Sequence, residues 1–233
     1  MKSKIIALVP AAGTGTRFGD ALPKQYLDID GHPLLFHTLK ALSRVSRIDG
    51  IAVVLSPDDS HWQRYLADWA LLGGKLSTEM VGGNSRGETI ANGLHAIATR
   101  AGISANDWVM VHDAARPCIR PELIEQFIDE LESDPIGGLL ALPLADTIKH
   151  DDGNLRVKKT VPREGLWRAQ TPQMFRFGLL RDALARCPTA TDEAQAIESL
   201  GHQPKLVMGD SGNLKVTYAQ DLKLARMLLR DEQ

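Results

Sequence analysis

A mixed α/β fold, with a mostly parallel sheet flanked by helices, is what this chain predicts, on three observations. Short continuous apolar runs recur along it: Ile5–Val9, Ile51–Leu55, Trp108–Val111 and Leu139–Leu144. Between them lie stretches with apolar residues at helical spacing, the alternation that βαβ units and a parallel sheet produce. A glycine-rich polar segment, Ala11–Gly19, directly follows the first run. The 233 residues are read as a single domain, 1–233, since a chain of this length buries enough surface to stand without disulfide or metal staples.

Ile5–Val9 reads as the first buried strand. Leu35, Leu39, Leu42 and Val45 share one face of a helix over Leu34–Val45. A second strand, Ile51–Leu55, ends in Ser56-Pro57-Asp58-Asp59, and a helix is expected around Ser60–Ala70. Lys75–Val81 is a third strand, closed by Gly82-Gly83. Ser85 and Glu88 have the spacing of a capping box, with Ile90, Leu94, Ile97 and Ala98 as the stripe of the helix behind it. Trp108–Val111 is a strand, Pro121–Leu131 a helix with proline in its first turn, and Leu139–Leu144 a strand. Then the pattern breaks. Thr147–His150 and Leu155–Val161 flank Asp151-Asp152-Gly153-Asn154, a hairpin signal. The hairpin carries Lys149, Arg156, Lys158 and Lys159, and two readings stand: an exposed surface hairpin, or an arm, 145–162, that packs on another subunit. Helices at Phe177–Arg186 and Asp192–Leu200, a strand at Lys205–Val207 and a helix at Tyr218–Arg230, capped through Thr217 and Gln220, complete the chain.

Composition narrows the function. A net charge of −2 and 5% aromatic residues argue against a general polyanion binder or a base-stacking nucleic-acid platform. The two cysteines, Cys118 and Cys187, lie far apart and exclude zinc ribbons and a disulfide scaffold; their scarcity fits a reducing cytoplasm. No run approaches the ~20 apolar residues of a membrane span, and Ile5–Val9 is too short for a signal-peptide core.

The chemistry-bearing segments sit where strands end. After the first strand, Pro10-Ala11-Ala12-Gly13-Thr14-Gly15-Thr16-Arg17-Phe18-Gly19 offers backbone N–H groups to an anion. Phe18 stands where a dinucleotide fingerprint needs its third glycine, and no Walker Gly-Lys follows, so both motifs fail. Arg17 and Lys24 beside such a loop suit a polyphosphate, as fork and point charge; a tight turn with solvated cations is the other reading. The strand Trp108–Val111 runs into His112-Asp113-Ala114-Ala115-Arg116-Pro117. Strand carboxyl ends line the ligand crevice of open α/β sheets, so Asp113 is a candidate ligand for Mg²⁺, which takes one or two carboxylates plus phosphate oxygens. His112 reads first as a packed, hydrogen-bonded residue, and second as a base. Gly82-Gly83-Asn84-Ser85-Arg86 lets a planar group near the backbone, or simply caps the helix.

Together these segments resemble the 2-C-methyl-D-erythritol 4-phosphate cytidylyltransferase family. The likeness runs through the glycine loop, Pro23-Lys24-Gln25-Tyr26, Gly82-Gly83-Asn84-Ser85-Arg86, His112-Asp113-Ala114-Ala115-Arg116-Pro117, Gly165-Leu166-Trp167-Arg168-Ala169-Gln170-Thr171-Pro172-Gln173, Thr191-Asp192-Glu193 and Asn213-Leu214-Lys215-Val216-Thr217, in order over nearly the whole chain. The resemblance implies a Rossmann-like sheet of nucleotidyltransferase type, Mg²⁺, CTP and a polyol phosphate as substrates, and a homodimer formed through the β-arm. It assigns Arg17, Lys24 and Lys215 to catalysis. Ala11, Ala12, Gly13, Gly15, Gly82, Gly83, Asn84, Thr89, Asp113 and Ala114 fall to the nucleotide. Arg116, Thr171 and Thr191 fall to the acceptor, with Thr147 and Arg163 supplied by the partner's arm. Asn84 stands where many members carry an acid, and Thr89 where many carry serine.

The implied reaction is attack of the acceptor phosphate on the α-phosphorus of CTP, with pyrophosphate leaving. An anionic phosphate needs no strong base, so catalysis reduces to positioning and charge neutralisation. The rivals are a cytidylyltransferase for another polyol phosphate, such as ribitol 5-phosphate, a sugar-1-phosphate nucleotidyltransferase, and a nucleotide-binding scaffold without turnover.

Overall fold

The computed structural model describes residues 3–13, 22–100 and 102–231. In chain order, β1 (Ile5–Pro10) leads to a 3-10 turn at Lys24–Tyr26, a small hairpin β2 (Asp28–Ile29) and β3 (His32–Pro33), then α1 (Leu34–Ser43) and β4 (Gly50–Val54). A second 3-10 turn, Trp62–Tyr65, runs into α2 (Leu66–Ala70), followed by β5 (Leu76–Glu79), α3 (Arg86–Arg100), β6 (Trp108–Val111), α4 (Pro121–Leu131) and β7 (Gly137–Pro143). β8 (Ile148–Asp151) and β9 (Val157–Val161) form the hairpin. β10 (Trp167–Arg176), α5 (Phe177–Arg186), α6 (Glu193–Glu198), β11 (Lys205–Met208) and α7 (Ala219–Asp231) complete the order.

Among the described residues the central sheet has seven strands in the order β11-β7-β10-β6-β1-β4-β5. β1 pairs in parallel with both β4 and β6, and β10 alone runs antiparallel to its neighbours. The apolar runs are continuous because both faces are covered. Ile5, Ala7 and Val9 point into one core with α1 and α4, while Ile6 and Leu8 point into the other with α3, α5 and α6. Each such fully buried aliphatic side chain contributes about 1.5–3 kcal/mol relative to exposure. A third, smaller cluster holds α7 on Ile29, Leu34 and Val216.

The α/β class is borne out, and local departures have identifiable causes. The helix expected over 60–70 is a 3-10 turn and a short helix. The Asp59 carboxylate accepts from both the His61 and Trp62 N–H groups at 2.9 Å. Trp62 then stacks on Trp69 at 4.3 Å, and the Trp69 indole N–H donates to the Trp62 carbonyl. The cap before α7 is made by Asp221, not Gln220: its carboxylate accepts from Thr217 and Tyr218 N–H at 2.9 and 2.8 Å, the stronger acceptor at a helix start. β10 carries no apolar run at its start and contains Pro172, so the pattern hides it. The register shifts between Ala169 and Gln173, and a bulge is where a sheet tolerates proline.

The hairpin pairs Ile148 with Val161 and Lys149 with Thr160, but its turn is longer than the two-residue type. The Asp152 carboxylate accepts from Asn154 and Arg156 N–H. Leu155 is 95% and Val157 65% exposed, so the ribbon stands clear of the body that carries it.

Candidate active site

The strand order reverses at β1, whose neighbours β4 and β6 lie on opposite sides. A crevice opens beyond the carboxyl ends of the strands at such a point. Here it is a cavity of about 520 Å³, lined among others by Ala11, Ala12, Lys24, Asn84, Asp113 and Lys215. The Gln25 side chain donates to the Ala11 carbonyl at 2.8 Å, pinning the 3-10 turn that carries Lys24 against the start of the glycine loop.

Asp113 is the electrostatic centre. It is nearly buried at the end of β6. Lys215 Nζ lies 2.7 Å from its Oδ2, Arg86 Nε donates to its Oδ1 at 3.0 Å, and Arg116 Nε lies at 3.8 Å. Burial alone would raise this carboxyl, but Arg86, Lys215 and Arg116 together hold it well below the usual carboxylate range. Arg86 in turn makes a bidentate pair with Glu193, at 2.6 and 3.0 Å. Desolvation works against the Arg86 charge, yet Glu193 and Asp113 raise it above the ordinary arginine value. Burial pushes the Glu193 carboxyl up, and the Arg86 fork opposes that shift.

The turn before α3 is closed from within. Ser85 Oγ accepts from Glu88 N–H at 3.1 Å, and the Glu88 carboxylate accepts from Asn84 N–H at 2.8 Å, one residue before the position a standard capping box uses. Thr89 is buried. Its hydroxyl donates to the Ser85 carbonyl at 2.9 Å and accepts from Gly83 N–H at 3.1 Å. The glycine pair has a packing reason: a Cβ on Gly82 would lie 2.3 Å from the Ala12 Cβ and 2.8 Å from the Leu55 carbonyl oxygen. Only a glycine lets this turn close against the loop after β1.

His112 is a structural residue. It is fully buried, and burial first of all pushes its imidazole down to about 4. The neutral ring accepts at Nδ1 from the Thr171 hydroxyl at 3.1 Å and reaches the Arg116 carbonyl with Nε2 at 3.4 Å. The same Thr171 hydroxyl accepts from Asp113 N–H at 3.0 Å, so Thr171 orients the Asp113 backbone. Arg116 is buried, not aimed into the cavity: its Nη1 donates to the Asn213 carbonyl at 2.7 Å.

Of the sequence-derived candidates, the cavity brings together Ala11, Ala12, Gly13, Lys24 and Gly83 with Asn84, Thr89, Asp113, Ala114 and Lys215. Gly82, Arg116 and Thr171 lie behind its wall. Thr147 and Thr191 are exposed elsewhere, and Arg163, also exposed, donates to the Ala145 carbonyl at the root of the hairpin. Gly15 and Arg17 fall outside the described residues. Among those described, no group of three or more His, Cys, Asp or Glu side chains could hold a metal, and Asp113 is the one carboxylate lining the cavity. Its two oxygens face cations, so this donor set suits a hard divalent ion only when phosphate oxygens supply most of the ligands. Arg86, Glu193 and Gln25 were not singled out from the sequence. Arg86 stands there only as the last residue of the segment after the third strand, and nothing in its spacing reveals a partner 107 residues away.

The chain matches, over residues 5–231, the family model described as 2-C-methyl-D-erythritol 4-phosphate cytidylyltransferase. A protein of that name from Dechloromonas aromatica is 57% identical, covering 96% of each chain. One from Nitrosospira multiformis is 52% identical over 97% of each. Among solved structures, a 4-diphosphocytidyl-2C-methyl-D-erythritol synthase superposes with a TM-score of 0.87 at 39% identity, covering 98% of this chain and 99% of the other. A 2-C-methyl-D-erythritol 4-phosphate cytidylyltransferase from Thermus thermophilus gives a TM-score of 0.77 at 31% identity, over 99% and 100%.

Proposed function

The chain belongs to the 2-C-methyl-D-erythritol 4-phosphate cytidylyltransferase family, and from that premise we propose how its cavity works. The enzyme transfers CMP from CTP to 2-C-methyl-D-erythritol 4-phosphate, forming 4-diphosphocytidyl-2-C-methyl-D-erythritol and pyrophosphate for isoprenoid biosynthesis. The observation that carries this reading is the chain of alternating charges Lys215–Asp113–Arg86–Glu193 in and behind the wall of the cavity.

The two reactants are both polyanions, and their repulsion is the main obstacle. Ala11, Ala12, Gly82, Gly83, Asn84 and Thr89 surround the cytidine, partly through backbone groups. Gly13 and Gly15 are also assigned to the nucleotide, and Ala114, beside Asp113, to its sugar or the metal region. Arg17 and Lys24 neutralise the triphosphate and stabilise charge growing at the α-phosphorus. Lys215, held near Asp113 in the free protein and lining the cavity, neutralises charge on the reacting phosphates and lowers the barrier to in-line attack. Thr191, and Thr147 and Arg163 from a partner's arm, hold the acceptor, while Arg116 and Thr171 act from behind the wall. The ion is Mg²⁺, with Asp113 as its protein carboxylate; when bound it neutralises phosphate charge. The domain is single, 1–233, the arm 145–162 makes a homodimer, and the setting is the cytoplasm. Support for the arm's role is its exposed apolar surface at Leu155 and Val157, since an isolated two-stranded ribbon is marginal without something to pack on.

A pyrophosphate-release assay tests the reading. CTP is compared with ATP, GTP and UTP, and 2-C-methyl-D-erythritol 4-phosphate with ribitol 5-phosphate, with and without Mg²⁺. Release is expected with the first of each pair and Mg²⁺; equal release with ribitol 5-phosphate would move the acceptor assignment.

A further inference from the structure

We propose that Asn213 and Gln170, together with Arg116, form a buried clamp that positions Lys215 for the transfer. The inference rests on the role given to Lys215 above. A lysine ammonium sits on a flexible four-carbon stem that costs entropy to hold in one rotamer, and this one is 43% exposed. Its backbone lies in the segment 209–218, which has no helix or strand of its own. Such a segment ordinarily satisfies its carbonyls with water. Here buried side chains do so instead.

Asn213 is 1% and Gln170 2% exposed. The Asn213 amide donates to the Thr171 carbonyl at 2.8 Å, and the Asn213 carbonyl accepts from Arg116 Nη1 at 2.7 Å and from Gln170 Nε2 at 3.4 Å. Gln170 Nε2 also donates to the Asp210 carbonyl at 2.9 Å. On the far side of Lys215, Val216 N–H donates to the Ala115 carbonyl at 2.8 Å. Lys215 is therefore bracketed two residues before and one after. Gly209 adds an independent mark: a Cβ there would fall 2.2 Å from Gln170 Oε1, so the segment packs on the Gln170 carboxamide itself. Burying a guanidinium and two amides against a loop is unfavourable unless they are hydrogen-bonded. Here Arg116 Nη1, Gln170 Nε2 and the Asn213 side-chain amide N–H are paired, while Arg116 Nε, Gln170 Oε1 and Asn213 Oδ1 have no hydrogen-bond partner among the described residues. What the bonds made fix is the loop that carries Lys215.

The clamp also fixes the partner of Lys215. Thr171, whose carbonyl takes Asn213, uses its hydroxyl to accept from Asp113 N–H at 3.0 Å. The bulge of β10 thus holds both ends of the Lys215–Asp113 pair, and Gln170 and Asn213 set the separation between them.

The test is a set of double-mutant cycles in the intact protein. Asn213→Ala, Gln170→Leu and Gly209→Ala are each made alone and with Lys215→Ala, and kcat and KM for both substrates are measured beside melting temperature. Alone, each is expected to lower kcat by up to about 10²-fold, the scale of a small misplacement of a catalytic group, with KM changed less. In the Lys215→Ala background no further fall in kcat is expected, because the group they position is gone. Equal losses in both backgrounds, tracking melting temperature, would mean a merely structural role and overturn the clamp, as would unchanged kcat in all three single variants. Gly209→Ala acts at a half-buried backbone position and keeps the test open if Asn213→Ala does not fold. An unaffected rate in Lys215→Ala alone would instead overturn the role of Lys215, a result separate from failure of the clamp.

Discussion

The guanidinium of Arg86, at the first turn of α3, grips the buried carboxylate of Glu193, at the first turn of α6, through two bonds of 2.6 and 3.0 Å. Glu193 is 1% exposed, so no water shell replaces Arg86 if it is lost. Breaking a buried pair by removing one partner costs about 3–5 kcal/mol, and Arg86→Ala is expected to destabilise the fold on that scale. Glu193→Gln keeps hydrogen-bonding capacity and is expected to lose less. Urea unfolding of the two variants checks the order; stabilities equal to wild type would remove the pair from the framework of the site.

Gly82 owes its identity to a close approach. Alanine there collides with the Ala12 Cβ and the Leu55 carbonyl oxygen, and neither is the end of a flexible side chain. The turn and the loop after β1 must separate. Gly82→Ala is expected to raise KM for CTP several-fold with a smaller effect on melting temperature. An unchanged KM would show that the two loops need not touch for nucleotide binding.

His112 makes stability depend on acid. Its ordinary value is 6.5, and burial first of all holds it near 4 in the folded protein. Between those values the unfolded chain binds the proton and the folded one does not, so stability falls as pH drops through that window. His112→Gln cannot take up that proton, and its acid-side slope is expected to be shallower. Melting temperatures from pH 7 to pH 4 measure both slopes; parallel curves would assign the acid sensitivity elsewhere.

Arg163 and Lys215 are expected to serve one site from two subunits. Lys215→Ala and Arg163→Ala should each lower turnover by orders of magnitude and leave the fold intact. Mixed and allowed to exchange subunits, the two variants should recover part of the lost activity, because some dimers then hold one site with both residues. Absence of recovery after proven exchange would count against an arm acting in trans.

The strands and most helices were legible because their apolar runs and stripes are local. Trp108–Val111, Pro121–Leu131 and Phe177–Arg186 have the bounds the periodicity predicts. β10 was not, since Arg168, Gln170, Thr171 and Gln173 make a polar strand around a proline, and its partners β6 and β7 are needed to see it. Within the site, Lys24, Asp113 and Lys215 were named from their segments and do meet at one cavity. The family resemblance places Arg116 and Thr171 at the acceptor, whereas both are turned inward to carbonyls and backbone.

The sequence alone determined the α/β class, the family resemblance and which segments gather at the strand ends, because hydrophobic periodicity and motif spacing act over a few residues. Only the tertiary structure decided which way each polar side chain turns. Arg86 to Glu193, Gln170 to Asp210 and Asn213 to Thr171 span 107, 40 and 42 residues. Each of those donors, once removed from water, had to find an acceptor wherever packing brought one.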